Sequence, residues 1–396
     1  MRIVHVITRL IVGGAQENTL LSCEGQHAHG HEVTLITGPP LGPEGSLLDR
    51  ARAGGYRVEV LDEMRRAILP VSDWRAYRAL LRRFRELRPD VVHTHSSKAG
   101  IIGRWAAHRA GVPAIIHTIH GLAFTASTSP VVNTAYRLLE KWTAPITTKI
   151  VCVADAMRQQ SLARGVGRAE QYITIYSGME TAAFLDPPVS REQVRSRLGL
   201  AAQHLVVGTI ARLFHMKGHE DLLEMAPDLC RRFAALRFLW VGDGLLRGDF
   251  QRRIEAMGLK DRFILTGLVP PTQIPQLANA MDILVHPSRR EGLARALAQG
   301  QLAAKPVVAY DVDGNREGLV AGESGILVPA FDRPKLQQAI EVLLGDADLR
   351  RRMGEAGRAF ALQRFAAPVM VGNLEALYAS AMRGPSPVGW KSDPAG

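Results

Sequence analysis

Cysteine is nearly absent from this chain, and what there is lies scattered. Cys23, Cys152 and Cys230 are odd in number and have no CxxC spacing, which argues against a disulfide framework or a thiolate zinc site and fits a reducing cytoplasm. No run approaches the roughly twenty apolar residues of a membrane span. The N-terminal stretch MRIVHVITRLIVGG is interrupted by Arg9 and has no small-residue cleavage site, so it reads as a first strand rather than a signal. Aromatics make up only 6% against 46% apolar residues, so the cores must be built from Ala, Val, Leu and Ile, the composition of buried parallel strands covered by helices. A complete GxGxxG is missing as well. Gly242-Asp243-Gly244 follows a strand without the rest of that fingerprint, which argues against a nicotinamide dinucleotide.

Acidic residues are outnumbered, 38 against 49 Lys and Arg, for a formal charge of +11. No basic stripe interleaved with aromatics accompanies this excess, so nucleic acid is not an expected partner. The clearest cluster is Asp73 to Arg88, where Trp74, Tyr77, Leu81, Phe84 and Leu87 or Arg88 recur at helical spacing among Arg75, Arg78, Arg82, Arg83 and Arg85. This basic amphipathic helix (73–88) reads either as a domain helix with a solvated arginine face or as a contact for an anionic membrane surface. In the second case each cation near the leaflet is worth roughly 1 kcal/mol.

With 396 residues the chain has the length of two α/β domains. Short β-branched runs alternate with helical stretches: Ile3 to Ile7, Val33 to Thr37, Val91 to Thr94, Ala114 to Thr118, Ile150 to Val153 and Tyr172 to Tyr176. After a weakly structured passage at Asp186-Pro187-Pro188, a hinge candidate, a second series runs through Leu205–Ile210, Phe238–Val241, Phe263–Thr266, Ile283–His286, Val307–Tyr310 and Ile326–Val328. The expected domains are 1–183 and 184–365, both Rossmann-like, facing each other across a cleft. A C-terminal helix over 366–382 is expected to pack back on the first domain, followed by a disordered tail, 383–396.

Ligands of open α/β sheets gather at the carboxyl ends of strands, and several residues stand there. Gly13 and Gly14 follow the first strand and lead into a helix, where backbone amides meet an anion without side chains in the way. His120-Gly121 ends another strand; His120 offers a hydrogen bond to a sugar hydroxyl or an acceptor, and Gly121 leaves room beside it. Arg212 and Lys217 place two cations after a strand of the second half, suited to a diphosphate leaving group without a divalent metal. Glu291 precedes Gly292 and Leu293 at a helix start. Their amides suit phosphate, its carboxylate suits sugar hydroxyls, and Gln299 on that helix suits a ribose. The pairs His93/His95 and His117/His120 lack a carboxylate at ligand spacing, so no metal site is expected. Asp311-Val312-Asp313 matches a metal-binding DxD but runs on into Gly314-Asn315-Arg316-Glu317.

In order along the chain, Ile7 to Gln16, His120-Gly121, Arg212 with Lys217-Gly218, and Ser288 through Lys305-Pro306 resemble the motifs of the family 4 retaining glycosyltransferases of GT-B fold. The N-terminal stretch and His93 to Gly100 look like the capsular and exopolysaccharide subgroup. The resemblance spans residues 1 to 382. It implies a nucleotide-sugar donor, UDP- or GDP-linked, bound mainly by the second half. It also implies a glycan or lipid-linked saccharide as acceptor, retention at the transferred carbon, no cofactor, and a role in cell-surface polysaccharide synthesis at the inner membrane face. Gly14 would then lie near the diphosphate and acceptor, His120 near the transferred sugar, Arg212 and Lys217 on the diphosphate, Glu291 on donor-sugar hydroxyls and position 299 on the ribose. The family usually carries glutamate at that last position, and Ser177-Gly178 stands where Asn-Gly is commoner. Gln299 keeps an acceptor oxygen but loses charge, which leaves a catalytically degenerate nucleotide-sugar-binding protein as one rival and a sugar-nucleotide epimerase as another.

Overall fold

We describe a computed structural model over residues 1–41, 45–122 and 129–383. The chain forms two compact units, Met1–Gly178 together with the segment from Ala367 onward, and Met179–Ala366. The first crossing thus lies ahead of the prolines that marked it in the sequence, between Gly178 and Met179 rather than at 183/184. Hydrogen bonds account for the position. The Gly178 N–H donates to Asn18 Oδ1 at 3.0 Å in the first unit, whereas the next N–H, of Met179, donates to the Phe365 carbonyl at 2.7 Å in the second. Of the expected tail 383–396, all but Arg383 lies outside the described residues.

The first unit is a parallel seven-stranded sheet: β1 (Arg2–Ile7), β2 (Glu32–Thr37), β3 (Arg57–Val60), β4 (Val91–His95), β5 (Ala114–Ile119), β6 (Lys149–Cys152) and β7 (Tyr172–Thr174), in the order β3-β2-β1-β4-β5-β6-β7. Alternation along the strands sends Ile3, Val91, Ile116 and Val151 to one face and Val4, Val6, Val92 and Ile115 to the other. The first set is covered by Met370, Val371, Leu374, Leu377 and Tyr378 of the C-terminal helix Ala367–Met382, so this last segment closes the core of the first unit. The second set packs on Ala76, Leu80 and Phe84 of the helix Pro70–Leu87. Burying Leu80 and Phe84 there stabilises the unit by roughly 1.5–3 kcal/mol each.

Two sequence expectations need correcting in this unit. The strand β3 was missed because its four residues, RVEV, alternate charge with apolar side chains and sit half-exposed at the sheet edge. The basic helix turns a different stripe inward than expected: Ala76, Leu80 and Phe84 are buried, with Tyr77, Leu81 and Leu87 flanking them, whereas Trp74 is 58% exposed. The helix starts at Pro70, three residues ahead of the expected Asp73, and none of its first-turn residues is buried.

The second unit carries the parallel strands β8 (Leu205–Ile210), β9 (Leu236–Val241), β10 (Phe263–Leu265), β11 (Ile283–His286), β12 (Val307–Asp311) and β13 (Gly325–Pro329), in the order β10-β9-β8-β11-β12-β13. Val207, Phe238, Trp240, Val285 and Val308 face one helical layer, and Val206, Leu239, Val241, Leu284 and Val307 face the other. Runs buried on both faces explain why all six strands were legible as continuous apolar segments.

Candidate functional site

Each sheet reverses its winding once, between β1 and β4 in the first unit and between β8 and β11 in the second. In open parallel sheets the crevice at such a switch point, outside the carboxyl ends of the strands, is where ligands bind. Several of the sequence-predicted residues stand just after the strands that flank these points. Gly13 and Gly14 follow β1, Arg212 and Lys217 follow β8, and Glu291 follows β11.

In the second unit the loops after β8 and β11 are fastened to each other. The Arg289 N–H and the Ser288 hydroxyl both donate to the Met216 carbonyl, at 2.8 and 3.2 Å, and the Lys217 ammonium pairs with Glu291 Oε1. His286, the last residue of β11, places Nε2 3.0 Å from the same Glu291 oxygen. Burial pushes the Glu291 carboxyl up, but the hydrogen bond from His286 and the positive charge around it outweigh burial and hold it at about 2. Glu291 is therefore a carboxylate at any pH of interest, positioned to accept hydroxyl hydrogens. The Lys217 ammonium has three donors, so one ion pair does not exhaust it.

Arg212 is exposed, its guanidinium stacked over the Phe214 ring at 4.9 Å. Its backbone is clamped by the end of β9 and the turn after it: the Ala211 N–H donates to the Val241 carbonyl at 3.1 Å and the Leu213 N–H to the Asp243 carbonyl at 2.9 Å. Gly242 makes this possible, since at φ +138° a Cβ on it would stand 2.2 Å from the Ala211 carbonyl oxygen. The Gly-Asp-Gly turn, without weight as a dinucleotide motif, thus fixes where Arg212 starts.

The helix that carries Gln299 runs Arg295–Leu302 and begins after Gly292 and Leu293, which lie in the irregular segment leading into it. The DxD residues serve separate partners: Asp311 binds Arg316 through both oxygens, at 3.1 and 2.6 Å, while Asp313 Oδ2 accepts the Glu291 N–H at 3.0 Å. His286 and Asp313 hold the two ends of Glu291, and sequence reasoning assigned neither. The signal for His286 was its place at the C-terminal end of a buried strand; for Asp313 there was none.

In the first unit Gly13 caps the helix Gly14–Ala28, and its carbonyl accepts the Glu17 N–H at 3.0 Å. His120 follows β5, with Nε2 3.0 Å from His95 Nδ1. Among the described residues nothing lies within 4 Å of where a Gly121 Cβ would be. His93 and His95 do lie together, with ring centroids 4.3 Å apart, but their further partner is one the sequence did not pair with them. Tertiary structure instead brings His5, His93 and His95 together in the interior, with a ligand nitrogen of each within 4.8 Å of the others.

Two wound parallel sheets, each with a basic or glycine-rich loop at its switch point, define a two-Rossmann architecture. Family comparisons give the class: residues 13–178 match the model "Glycosyl transferase 4-like domain" and residues 190–360 the model "Glycosyl transferases group 1". The chain is a glycosyltransferase of GT-B fold. Among named relatives it is 28% identical over 319 residues to the UDP-Gal:alpha-D-GlcNAc-diphosphoundecaprenol alpha-1,3-galactosyltransferase of Escherichia coli, covering 80% of each chain. It is 29% identical to the alpha-D-kanosaminyltransferase of Streptomyces kanamyceticus, over 76% of this chain and 84% of that one. Anabaena HepE in complex with UDP shares the fold with a TM-score of 0.82 at 21% identity, over 96% of this chain and 100% of that one.

Proposed function

We propose that the protein transfers a hexosyl group, with retention, from a UDP- or GDP-sugar to a hydroxyl of a glycan or lipid-linked saccharide in cell-surface polysaccharide synthesis. The observation that carries the reading is the fastened pair of loops at the second switch point, which joins Lys217, Glu291 and His286 next to the loop of Arg212. In this reading Arg212 forks onto phosphate oxygens and Lys217 adds a compact charge, so that the nucleoside diphosphate leaves as a stabilised anion. Glu291 accepts hydrogen bonds from donor-sugar hydroxyls, Gly292 and Leu293 offer amides to phosphate, and Gln299 accepts from the ribose. Gly13, Gly14 and His120 serve the acceptor side. The C1–O bond to the diphosphate breaks as the acceptor oxygen bonds C1 on the same face, and the acceptor proton passes to the departing phosphate oxygen. Positioning and charge carry the rate, without a divalent metal. The name of the Escherichia coli relative supports a UDP-sugar donor with a lipid-diphosphate-linked acceptor.

Peripheral attachment to an anionic leaflet belongs to the same proposal. Ile68, Leu69, Val71 and Trp74 are 70%, 45%, 65% and 58% exposed at the start of the basic helix, beside the exposed Arg65, Arg66, Arg75 and Arg78. An exposed tryptophan and aliphatics rimmed by arginines are what an interfacial helix needs. Among the described residues no helix is long and apolar enough to cross a membrane.

Isothermal titration with UDP, GDP and ADP in metal-free buffer, on the native chain and on Arg212→Ala, tests the site. One diphosphate should bind the native protein, and the variant should lose at least about tenfold in affinity. Equal binding by both proteins would remove Arg212 from the donor site. Gln299 favours one second reading, a nucleotide-sugar binder without turnover. It would bind the diphosphate yet release none from the matching nucleotide-sugar under any acceptor.

A further inference from the structure

Among the described residues six that are not glycine have a positive φ, and three of them touch the short segment 288–291. Met216, at φ +71°, accepts the Arg289 N–H at 2.8 Å and the Ser288 hydroxyl at 3.2 Å through its carbonyl. Phe331, at φ +66°, has the Arg289 guanidinium over its ring, with Cζ 5.0 Å from the ring centre. Asp313, at φ +44°, accepts the Glu291 N–H on Oδ2 at 3.0 Å. Sheet order accounts for two of the three: β11 lies between β8 and β12, so the segment after β11 meets the loop after β8 through Met216 and the loop after β12 through Asp313. Left-handed backbone costs free energy in any residue with a Cβ, and it persists where the surroundings hold a functional site in place.

Of the three, Asp313 reaches Glu291 itself, and it does so with its side chain. The turn around it does not require that side chain. Gly314 and Asn315, which follow, are buried, and Asn315 Nδ2 donates to the Tyr310 carbonyl at 3.1 Å, so the turn is pinned from inside while Asp313 is exposed. Glycine would adopt the same φ without strain. An aspartate stands there nonetheless, with a carboxylate oxygen on the amide of Glu291. Glu291 is thereby held at two places along its own frame, by His286 and Lys217 at the carboxylate and by Asp313 at the backbone N–H. Fixing both ends removes the rotamer freedom that a glutamate side chain otherwise keeps.

We propose that Asp313 is a positioning residue for the transfer reaction: its carboxylate, carried on a left-handed backbone, anchors the Glu291 amide and so fixes the Glu291 carboxylate against the hydroxyls of the donor sugar. This role deepens the part given to Glu291 above and rests on that reading. Asp313 then acts on the sugar half of the donor, whereas Arg212 and Lys217 serve the diphosphate half. It also gives the second aspartate of Asp311-Val312-Asp313 a use of its own. Asp311 binds Arg316 through both oxygens, so the two carboxylates of the triplet serve different partners.

Amide hydrogen exchange at Glu291, followed by NMR on the full chain, reads the anchoring bond without any need for turnover. The native amide should be protected, and Asp313→Gly, which relieves the backbone while removing the acceptor, should speed its exchange about tenfold or more. That variant should keep its thermal midpoint within about 3 °C of native. Its affinity for the nucleoside diphosphate should stay within about twofold, while kcat/KM for the matching nucleotide-sugar falls about tenfold or more. Asp313→Asn, whose side-chain oxygen accepts the same N–H and which tolerates a positive φ, should recover that loss to within about threefold of native. A merely structural role would move the midpoint and the diphosphate affinity together with kcat/KM. The proposal is overturned by a glycine variant with native exchange or native kcat/KM, and by an asparagine variant as impaired as the glycine one, which would put the charge of Asp313 to use rather than its acceptor. Should Asp313→Gly fail to fold, an unprotected Glu291 amide in the native chain, or an asparagine variant below about a tenth of native kcat/KM, overturns it. Glu291→Ala separates the two readings: if it keeps native kcat/KM while Asp313→Gly frees the Glu291 amide, the sugar-binding role of Glu291 fails and the anchoring bond stands.

Discussion

Gly218 lies against the carbonyl of Pro287: at φ +77°, a Cβ on Gly218 would stand 1.9 Å from the Pro287 oxygen. The glycine after Lys217 is thus required twice over, by its left-handed backbone and by the loop it touches. Gly218→Ala should destabilise the second unit by about 1–3 kcal/mol, read as a drop in thermal midpoint. It should also separate Lys217 from Glu291 and weaken nucleoside diphosphate binding. A variant with native midpoint and native affinity would show that the two loops are positioned independently.

Glu291 titrates at about 2 in the folded protein against about 4.5 when unfolded, so its charge favours the folded state. That stability is fully present above pH about 4.5 and is lost as pH falls toward about 2, a contribution of about 3 kcal/mol. Glu291→Gln should lose it, and the variant's stability should depend less on pH in that window than the native chain's. Chemical unfolding at pH 5 and pH 3 gives the comparison; equal pH dependence in both proteins rules the ion pair out as its source.

Buried histidines work on stability in the same direction at a higher pH. His5, His93, His95 and His117 are all held below 6.5 by burial, so below that pH the unfolded chain binds protons that the folded chain does not. Stability should be complete above pH about 6.5 and fall as pH drops toward 4, by up to about 1.4 kcal/mol per pH unit for each such proton. His117→Gln, where it folds, should shallow that slope by about one proton. A flat profile between pH 6.5 and 4 would mean that these imidazoles protonate in place.

Gln299→Glu should tighten donor binding about fivefold, since a carboxylate strengthens a ribose hydrogen bond by roughly 1 kcal/mol. Titration with the diphosphate that binds the native chain is the measurement. Unchanged or weaker binding removes position 299 from the ribose.

Sedimentation with vesicles containing anionic lipid should carry down the native chain at low salt and release it at high salt. Replacing Trp74 and Arg78 by serine, a pair stacked at 5.0 Å on the exposed face, should lower the partition coefficient about tenfold. Native partitioning by that variant assigns the arginine face to solvent.

Ten of the thirteen strands overlap their sequence-predicted runs to within a residue at each end, because strands buried on both faces are written as plain apolar segments. The edge strand β3 had no such run to betray it. Lys217 and Glu291 were each visible as strand-end residues, but their contact was not, since it depends on β8 and β11 being neighbours across an intervening stretch of chain. His286 and Asp313 stayed unassigned for the same reason: each matters only for the group it holds.

The order of apolar runs, glycines and strand-end polar residues was enough to determine a pair of wound parallel sheets and the loops that carry the candidate chemistry, because those features are local and periodic. Tertiary structure alone decided which loops meet, which face of the basic helix is buried, that the last helix closes the first core, and that His5, His93 and His95 gather in the interior. Those outcomes depend on strand order and on packing between residues far apart in the chain, for which the sequence carries no local mark.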